Sequence, residues 1–316
     1  MSKAKQMIDQ WSAQDIPKLK GKRAIVTGAS SGLGLVIADE LAAHGASVTL
    51  AVRNAERGEA ARQHILAAHP DAQLDVAMLD VASLESIREF TRGWLKSNKQ
   101  LDILVNNAGV MAIPKRQLTE DGFELQLGTN HLGAFALTML LMPAIRKTPG
   151  ARVVAVASNA HRPSHIEFDD LMREKKYSAW GAYGQSKLAN LLFTRELQRR
   201  FSLAKVNALA VAGHPGWAST NLVASGPMKD RGSFAQWLAR MGSHLGSQSA
   251  ERGALPILYV ATVADVAGND YFGPNGMSEL KGYPVPARRV PAALNDDDAK
   301  RLWDLSEKLT GTSFSG

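Results

Sequence analysis

Cysteine is absent from all 316 residues. That excludes disulfides, thiolate nucleophiles and a Cys-ligated structural zinc, and it fits a cytoplasmic protein. The histidines supply no replacement, because His131, His161 and His214 lack helical metal-ligand spacing; they read as site-lining or satisfied polar residues, and no metal is expected. The longest oily stretch, Ala134 to Ile145, is too short to span a bilayer and is broken by Pro143. Met1 to Gly21 is polar, with Trp11 and Ile16 only as scattered apolar residues, so no secretory segment is expected and the protein should be soluble. Internal repeats and low-complexity linkers are missing as well. The net charge is +7, but Lys3, Lys5, Lys18, Lys20, Lys22 and Arg23 against Asp9 and Asp15 place +4 of it in residues 1–23. A mobile basic arm accounts for that excess, and no aromatic-basic stripe supports nucleic-acid binding.

What the chain does contain is an alternation of apolar runs and helical patterns. Strands are predicted at 24–27, 47–52, 74–79, 102–106, 152–157 and 205–211, with helices near 33–44, 55–68, 84–97, 121–146 and 181–202. A further helix near 250–261, a short strand near 270–273 and a last helix near 296–309 follow. This order argues an α/β fold with a doubly wound parallel sheet covered on both faces. The length suits one large domain, and 45% hydrophobic residues with 27 glycines suit a buried sheet with many tight turns. Residues 217–246 differ in character: Gly, Ser and Pro interleave with Trp237, Leu238, Met241 and Leu245. They read either as a mobile lid or as a packed surface helix.

Three local patterns carry chemistry. The first strand runs into Gly28-Ala29-Ser30-Ser31-Gly32-Leu33-Gly34 and then an apolar helix. Glycines there let the backbone turn tightly and let a pyrophosphate approach the positive helix N-terminus. The spacing, Gly-x-x-x-Gly-x-Gly, differs from the commoner dinucleotide fingerprint. Arg53 follows the second strand, where an acidic residue would accept from the ribose hydroxyl of NAD. An arginine can instead pair with the 2′-phosphate of NADP, or simply be a solvated strand-end residue. Tyr183 and Lys187 stand four residues apart on a predicted helix and share a face. A tyrosine normally titrates near ~10, and a neighbouring cation favours its phenolate, so Lys187 is expected to lower the Tyr183 pKa. Alone, such a pair reads as a surface feature.

Together with Asn106-Asn107-Ala108-Gly109, Asn130, Ser158 and Pro215-Gly216, these motifs resemble the short-chain dehydrogenase/reductase family, in order and over nearly the whole chain from Lys20. The resemblance implies a Rossmann-fold enzyme with a catalytic tetrad of Asn130, Ser158, Tyr183 and Lys187. Tyr183 would donate a proton to a carbonyl oxygen as hydride reaches its carbon, and Ser158 would donate a hydrogen bond. Lys187 would hold the nicotinamide ribose, and Asn130 a water linking Lys187 to solvent. Taken singly, Ser158 is equally a strand-end serine and Asn130 a helix-bending amide. NADP(H) would rest on Gly28, Ser30, Ser31, Gly32, Leu33, Gly34, Arg53, Asp80, Val81, Asn107, Ala108, Gly109, Tyr183, Lys187, Pro215 and Gly216. Asp80 would accept from the adenine amino group, and Asn106 would support the sheet below.

Ser158 and Tyr183 are 25 positions apart, wider than in compact members. The inserted segment, with Phe168, Leu171, Met172, Tyr177 and Trp180, resembles the retinol-dehydrogenase-like and protochlorophyllide-reductase-like branch. A pocket lined by it and by the 217–246 segment would be apolar, which favours a hydrophobic aldehyde, ketone or alcohol. Carbon–carbon double-bond reduction fits less well without a cysteine. A non-catalytic NADP(H) sensor and a protein-binding scaffold are the other classes. The expected organisation is a basic arm at 1–19 and one catalytic domain at 20–316. Helices 121–146 and 181–202 resemble the family's dimer surfaces, although the same apolar faces could be core.

Overall fold

The apolar runs become strands, those in the middle of the sheet buried on both faces. They are β1 (Arg23–Thr27), β2 (Ser47–Val52), β3 (Leu74–Met78), β4 (Ile103–Asn106), β5 (Ala151–Val156), β6 (Ala208–Gly213), β7 (Tyr271–Pro274) and β8 (Pro284–Pro286). The structure is a computed structural model that describes residues 10–217 and 248–314. The strands form one sheet in the order β3-β2-β1-β4-β5-β6-β7-β8. All pairs are parallel except β7 with β8. The chain winds outward from β1 in one direction and from β4 in the other, so a crevice opens at the carboxyl ends of these two strands. In such sheets that switch point is where ligands bind.

Helices α1 (Gly32–Ala43), α2 (Ala55–Ala68) and α6 (Ala250–Thr262) cover one face, with Ile37, Leu41, Ile65 and Ile257 fully buried. The other face carries α3 (Leu84–Ser97), α4 (Gly133–Arg146), α5 (Ala179–Leu203) and α7 (Asp296–Thr310). Leu84–Ser97 shows how the sequence dictates one of these helices. Ser83 caps it by accepting from the Ser86 amide, and Leu84, Ile87, Phe90 and Trp94 recur at helical spacing to fill the core. Among the described residues no helix is long and apolar enough to cross a membrane.

Three features differ from the sequence reading. The segment expected to begin a helix at 121 instead runs through a short turn, Leu125–Leu127, and a π-helical turn, Gly128–Leu132, before α4. Strand β6 begins at Ala208 rather than 205, because Lys205 takes a left-handed φ of +52° that closes the end of α5. Residues 10–19 of the expected basic arm are docked: Trp11, Ile16 and Leu19 are buried, and Trp11 meets Tyr259 edge-on at 5.2 Å. The apolar faces of α4 and α5, which the sequence leaves open between dimer surface and core, are buried within the chain. Trp303 of α7 stacks on Phe193 at 5.9 Å and meets Phe135 edge-on at 4.9 Å. The expected lid, 217–246, lies outside the described residues apart from Trp217.

Candidate active site

The crevice starts with a hydrogen-bonded knot between β1 and β4. Thr27 Oγ1 accepts from the amides of Asn107 and Ala108 at 3.0 and 2.9 Å, and Asn107 Nδ2 donates to the Thr27 carbonyl at 2.8 Å. Gly28 adopts φ +69°, left-handed backbone that favours glycine. A Cβ on Gly34 would stand 2.4 Å from the Gly28 carbonyl oxygen, so only glycine lets α1 close against the turn. The result is a cleft at the N-terminus of a helix, with the geometry that cradles a phosphate.

Gly28, Ser30, Ser31, Gly32, Leu33 and Gly34 line this cleft on one side. Arg53, Asp80 and Val81 come from the ends of β2 and β3, and Asn107, Ala108 and Gly109 from the end of β4. Every residue of the glycine turn and strand ends named from the sequence as a coenzyme contact is therefore brought together here. Asp80 is held by its own loop, its Oδ1 accepting from the Ala82 amide at 2.9 Å. The sequence reading missed Asn54, Arg57, Leu79, Val110 and Thr129, which also line the cleft. Arg57 was legible: it lies one helical turn beyond Arg53, and Asn54 fixes that turn by accepting from the Arg57 amide at 2.8 Å.

The tetrad gathers at the inner end. A Cβ on Gly109 would lie 2.8 Å from Asn130 Oδ1 and 3.8 Å from Lys187 Nζ, so the cleft leads directly to these side chains. Asn130 Oδ1 accepts from the Val110 amide at 2.8 Å, and its Nδ2 donates to the Val110 carbonyl and to Ser186 Oγ, both at 2.9 Å. The side chain thus clamps the strand end to α5, and both of its amide hydrogens are committed. Asn106 lies deeper, donating to Thr138 Oγ1 at 3.1 Å.

Lys187 Nζ donates to the Val156 carbonyl at 2.9 Å and sits 5.7 Å from the centre of the Tyr183 ring. Burial lowers the Lys187 pKa to about 8. Burial also pushes the Tyr183 phenol up to about 12, opposed by a hydrogen bond with Ser158. The expected lowering of Tyr183 by Lys187 is not what this arrangement shows, because loss of hydration dominates and Ser158, not Lys187, is the group that opposes it. Tyr183 is consequently a protonated phenol at neutral pH, with Ser158 beside it.

Pro215 and Gly216 follow β6, and Gly216 is held beside His214, whose Nδ1 accepts from its amide at 3.2 Å. One other expectation shifts. The inserted segment is mostly packing rather than pocket. Leu171 is buried, Phe168 and Met172 pack on the core, and Gln185 of α5 holds the loop through the Glu167 amide and the Leu171 carbonyl, both at 3.0 Å. Trp180 is the residue that stays at the site, 41% exposed and edge-on to Tyr183 at 5.9 Å. Among the described residues no group of three His, Asp or Glu side chains is placed to hold a metal.

Comparison with known proteins agrees with this geometry. A sequence profile described as short chain dehydrogenase matches residues 22–229. Human retinol dehydrogenase 12 is 41% identical over 298 residues, covering 93% of this chain and 88% of its own. Human retinol dehydrogenase 11 is 39% identical over 294 residues, covering 93% and 87%. Among solved structures, an uncharacterised protein from Mycobacterium paratuberculosis matches with a TM-score of 0.80 at 41% identity, over 97% of this chain and all (100%) of that one. The Pseudomonas aeruginosa RhlG/NADP active-site complex shares the fold, with a TM-score of 0.61 at 22% identity over 80% of this chain and 94% of its own.

Proposed function

The chain belongs to the short chain dehydrogenase family, and on that premise we propose that it is an NADP(H)-dependent oxidoreductase. It interconverts a carbonyl and an alcohol on a hydrophobic substrate. The observation that carries the reading is the placement of Tyr183 beside Ser158 and Lys187, at the inner end of a glycine-walled cleft.

The cleft fits a dinucleotide. Gly28 and Gly34 let the turn and α1 close against the end of β4, and the N-terminus of α1 at this turn suits a pyrophosphate. Arg53 and Arg57, both exposed at the outer wall, suit a 2′-phosphate, where a charge-assisted bond contributes on the order of 1.5–3 kcal/mol. When bound, the nicotinamide supplies or accepts the hydride. The chain's own residues manage the proton. Tyr183, protonated at neutral pH, donates to the developing alkoxide, and Ser158 adds a second donor at the same oxygen. In oxidation the phenol loses its proton first and then accepts one from the alcohol. Lys187 supplies the positive charge that makes that loss easier.

The substrate class follows from Trp180, whose exposed indole lies against the catalytic phenol, and from relatives that are named retinol dehydrogenases. A long apolar alcohol or aldehyde suits such a wall. The test is steady-state turnover with hydrophobic aldehydes and ketones, using NADPH and NADH in parallel. Reduction with NADPH preferred by about ten- to a hundredfold is expected, and Arg53→Asp should tilt preference toward NADH. Coenzyme binding without turnover on any substrate would instead make the protein a sensor, and turnover confined to conjugated alkenes a double-bond reductase.

A further inference from the structure

Behind Ser158 and Tyr183 lies a group of buried and half-buried polar side chains that the hydride chemistry does not use. His214, directly after β6, is fully buried. Its Nδ1 accepts from the Gly216 amide, so its proton is on Nε2, which donates to Glu279 Oε2 at 2.9 Å. Arg162 reaches the same carboxylate oxygen at 2.7 Å, and the Arg288 amide donates to Glu279 Oε1 at 3.1 Å. The Tyr271 ring packs against His214 at 5.3 Å and His161 at 5.7 Å. His161 Nδ1 in turn donates to the Ser158 carbonyl at 2.6 Å.

Several features show that the fold maintains this cluster at a cost. A Cβ on Gly273 would stand 1.9 Å from His214 Nε2, so β7 leaves out a side chain to admit the imidazole. Ser278 and Glu279 hold left-handed φ of +55° and +56°, an unfavourable backbone for residues with side chains. The Tyr271 hydroxyl and His161 Nε2 are buried without a hydrogen-bond partner among the described residues. Such strain persists only where surrounding contacts enforce it, and it clusters at functional sites.

The carboxylate joins three segments that meet at the reacting groups. One is the turn after Ser158, which carries Arg162 and Asn159; Asn159 Nδ2 donates to the Ser278 and Glu279 carbonyls, both at 3.3 Å. The second is His214 to Trp217, whose last amide donates to the Leu280 carbonyl at 2.8 Å. The third is the turn containing Glu279 itself. We propose that Glu279 is a positioning residue: gripped by Arg162 and His214, it fixes the Ser158 turn against the Pro215–Gly216 segment and so aligns the Ser158 hydroxyl and Tyr183 phenol with the reacting carbon. This rests on the hydride-transfer reading above.

The test is Glu279→Gln in the full chain, which keeps shape and removes charge. Aldehyde reduction should show kcat lowered at least about tenfold, while KM and Kd for NADPH stay within about threefold, because alignment and not binding is lost. The primary isotope effect on kcat with 4-deuterated NADPH should rise as hydride transfer becomes the slow step. Arg162→Gln should reproduce this pattern, and Arg162→Lys, which keeps the cation, should restore most of kcat. Wild-type kcat and isotope effect in Glu279→Gln would overturn the proposal. If Glu279→Gln does not fold, the Arg162 pair decides: equal behaviour of the two, or failure of both to fold, assigns the cluster a purely structural role. Wild-type protein inert toward every substrate is a separate result, seen before any variant is made, and overturns both readings.

Discussion

Tyr183 and Lys187 carry opposite consequences of the same burial. The phenol is pushed up to about 12 and the ammonium down to about 8, so near neutral pH both hold their protons. Reduction needs the protonated phenol and should therefore be flat through neutral pH. Above about pH 8 Lys187 loses its charge, and kcat/KM for reduction should fall along that limb. Lys187→Met should be slow throughout and lack the limb. A pH profile in which wild type and Lys187→Met differ only by a constant factor would remove the lysine from the titration. The pairing of these two residues was legible as an i, i+4 spacing. The sign of the tyrosine shift was not, because spacing conveys proximity of charge but not the loss of water around both groups.

The elements meet at the site with almost no spare room, and α5 shows this best. A Cβ on Gly184 would stand 2.0 Å from Ser164 Oγ and 2.6 Å from the Ala160 carbonyl. This glycine, next to Tyr183, lets α5 lie against the turn that presents Ser158. Gly184→Ala should force the two apart, lowering kcat about tenfold or more and destabilising the fold by about 1–3 kcal/mol. That corresponds to a Tm lower by roughly several degrees, and NADPH affinity should hold because the glycine turn at β1 is remote. Unchanged turnover with an unchanged Tm would mean that the turn yields freely. Parallel strands and long helices were readable to within a few residues from apolar periodicity and flanking turn residues such as Ser83 and Asn54. The π-helical turn at Asn130 was not, since it is set by the Asn130 clamp on Val110 and Ser186. The packed state of the 159–182 segment was also hidden. It depends on Gln185, a polar residue on a mostly apolar helix whose partners are distant in the loop.

For the whole molecule, two buried histidines link stability to acidity. Burial holds His131 and His161 near a pKa of about 4, against the ordinary value of 6.5. Between those values the unfolded chain binds protons that the folded one does not, so stability falls as pH drops from 6.5 toward 4, by up to about 3 kcal/mol per residue. Tm measured from pH 7 to pH 5 should decline, and His131→Asn, which cannot take up the proton, should decline less steeply. A flat Tm over that range would contradict the burial assigned to both rings. The same architecture gathers glycine turn, arginines and tetrad from widely separated stretches of sequence into one crevice, and the claim that this crevice transfers hydride is open to a direct measurement. Reduction of a long-chain aldehyde with NADPH carrying deuterium on the transferred position of nicotinamide C4, followed by mass spectrometry of the alcohol, should place one deuterium on the carbinol carbon. Tyr183→Phe should form that labelled product about 10²–10⁴-fold more slowly. Alcohol formed without deuterium at that carbon, or formed equally fast by Tyr183→Phe, would contradict the account.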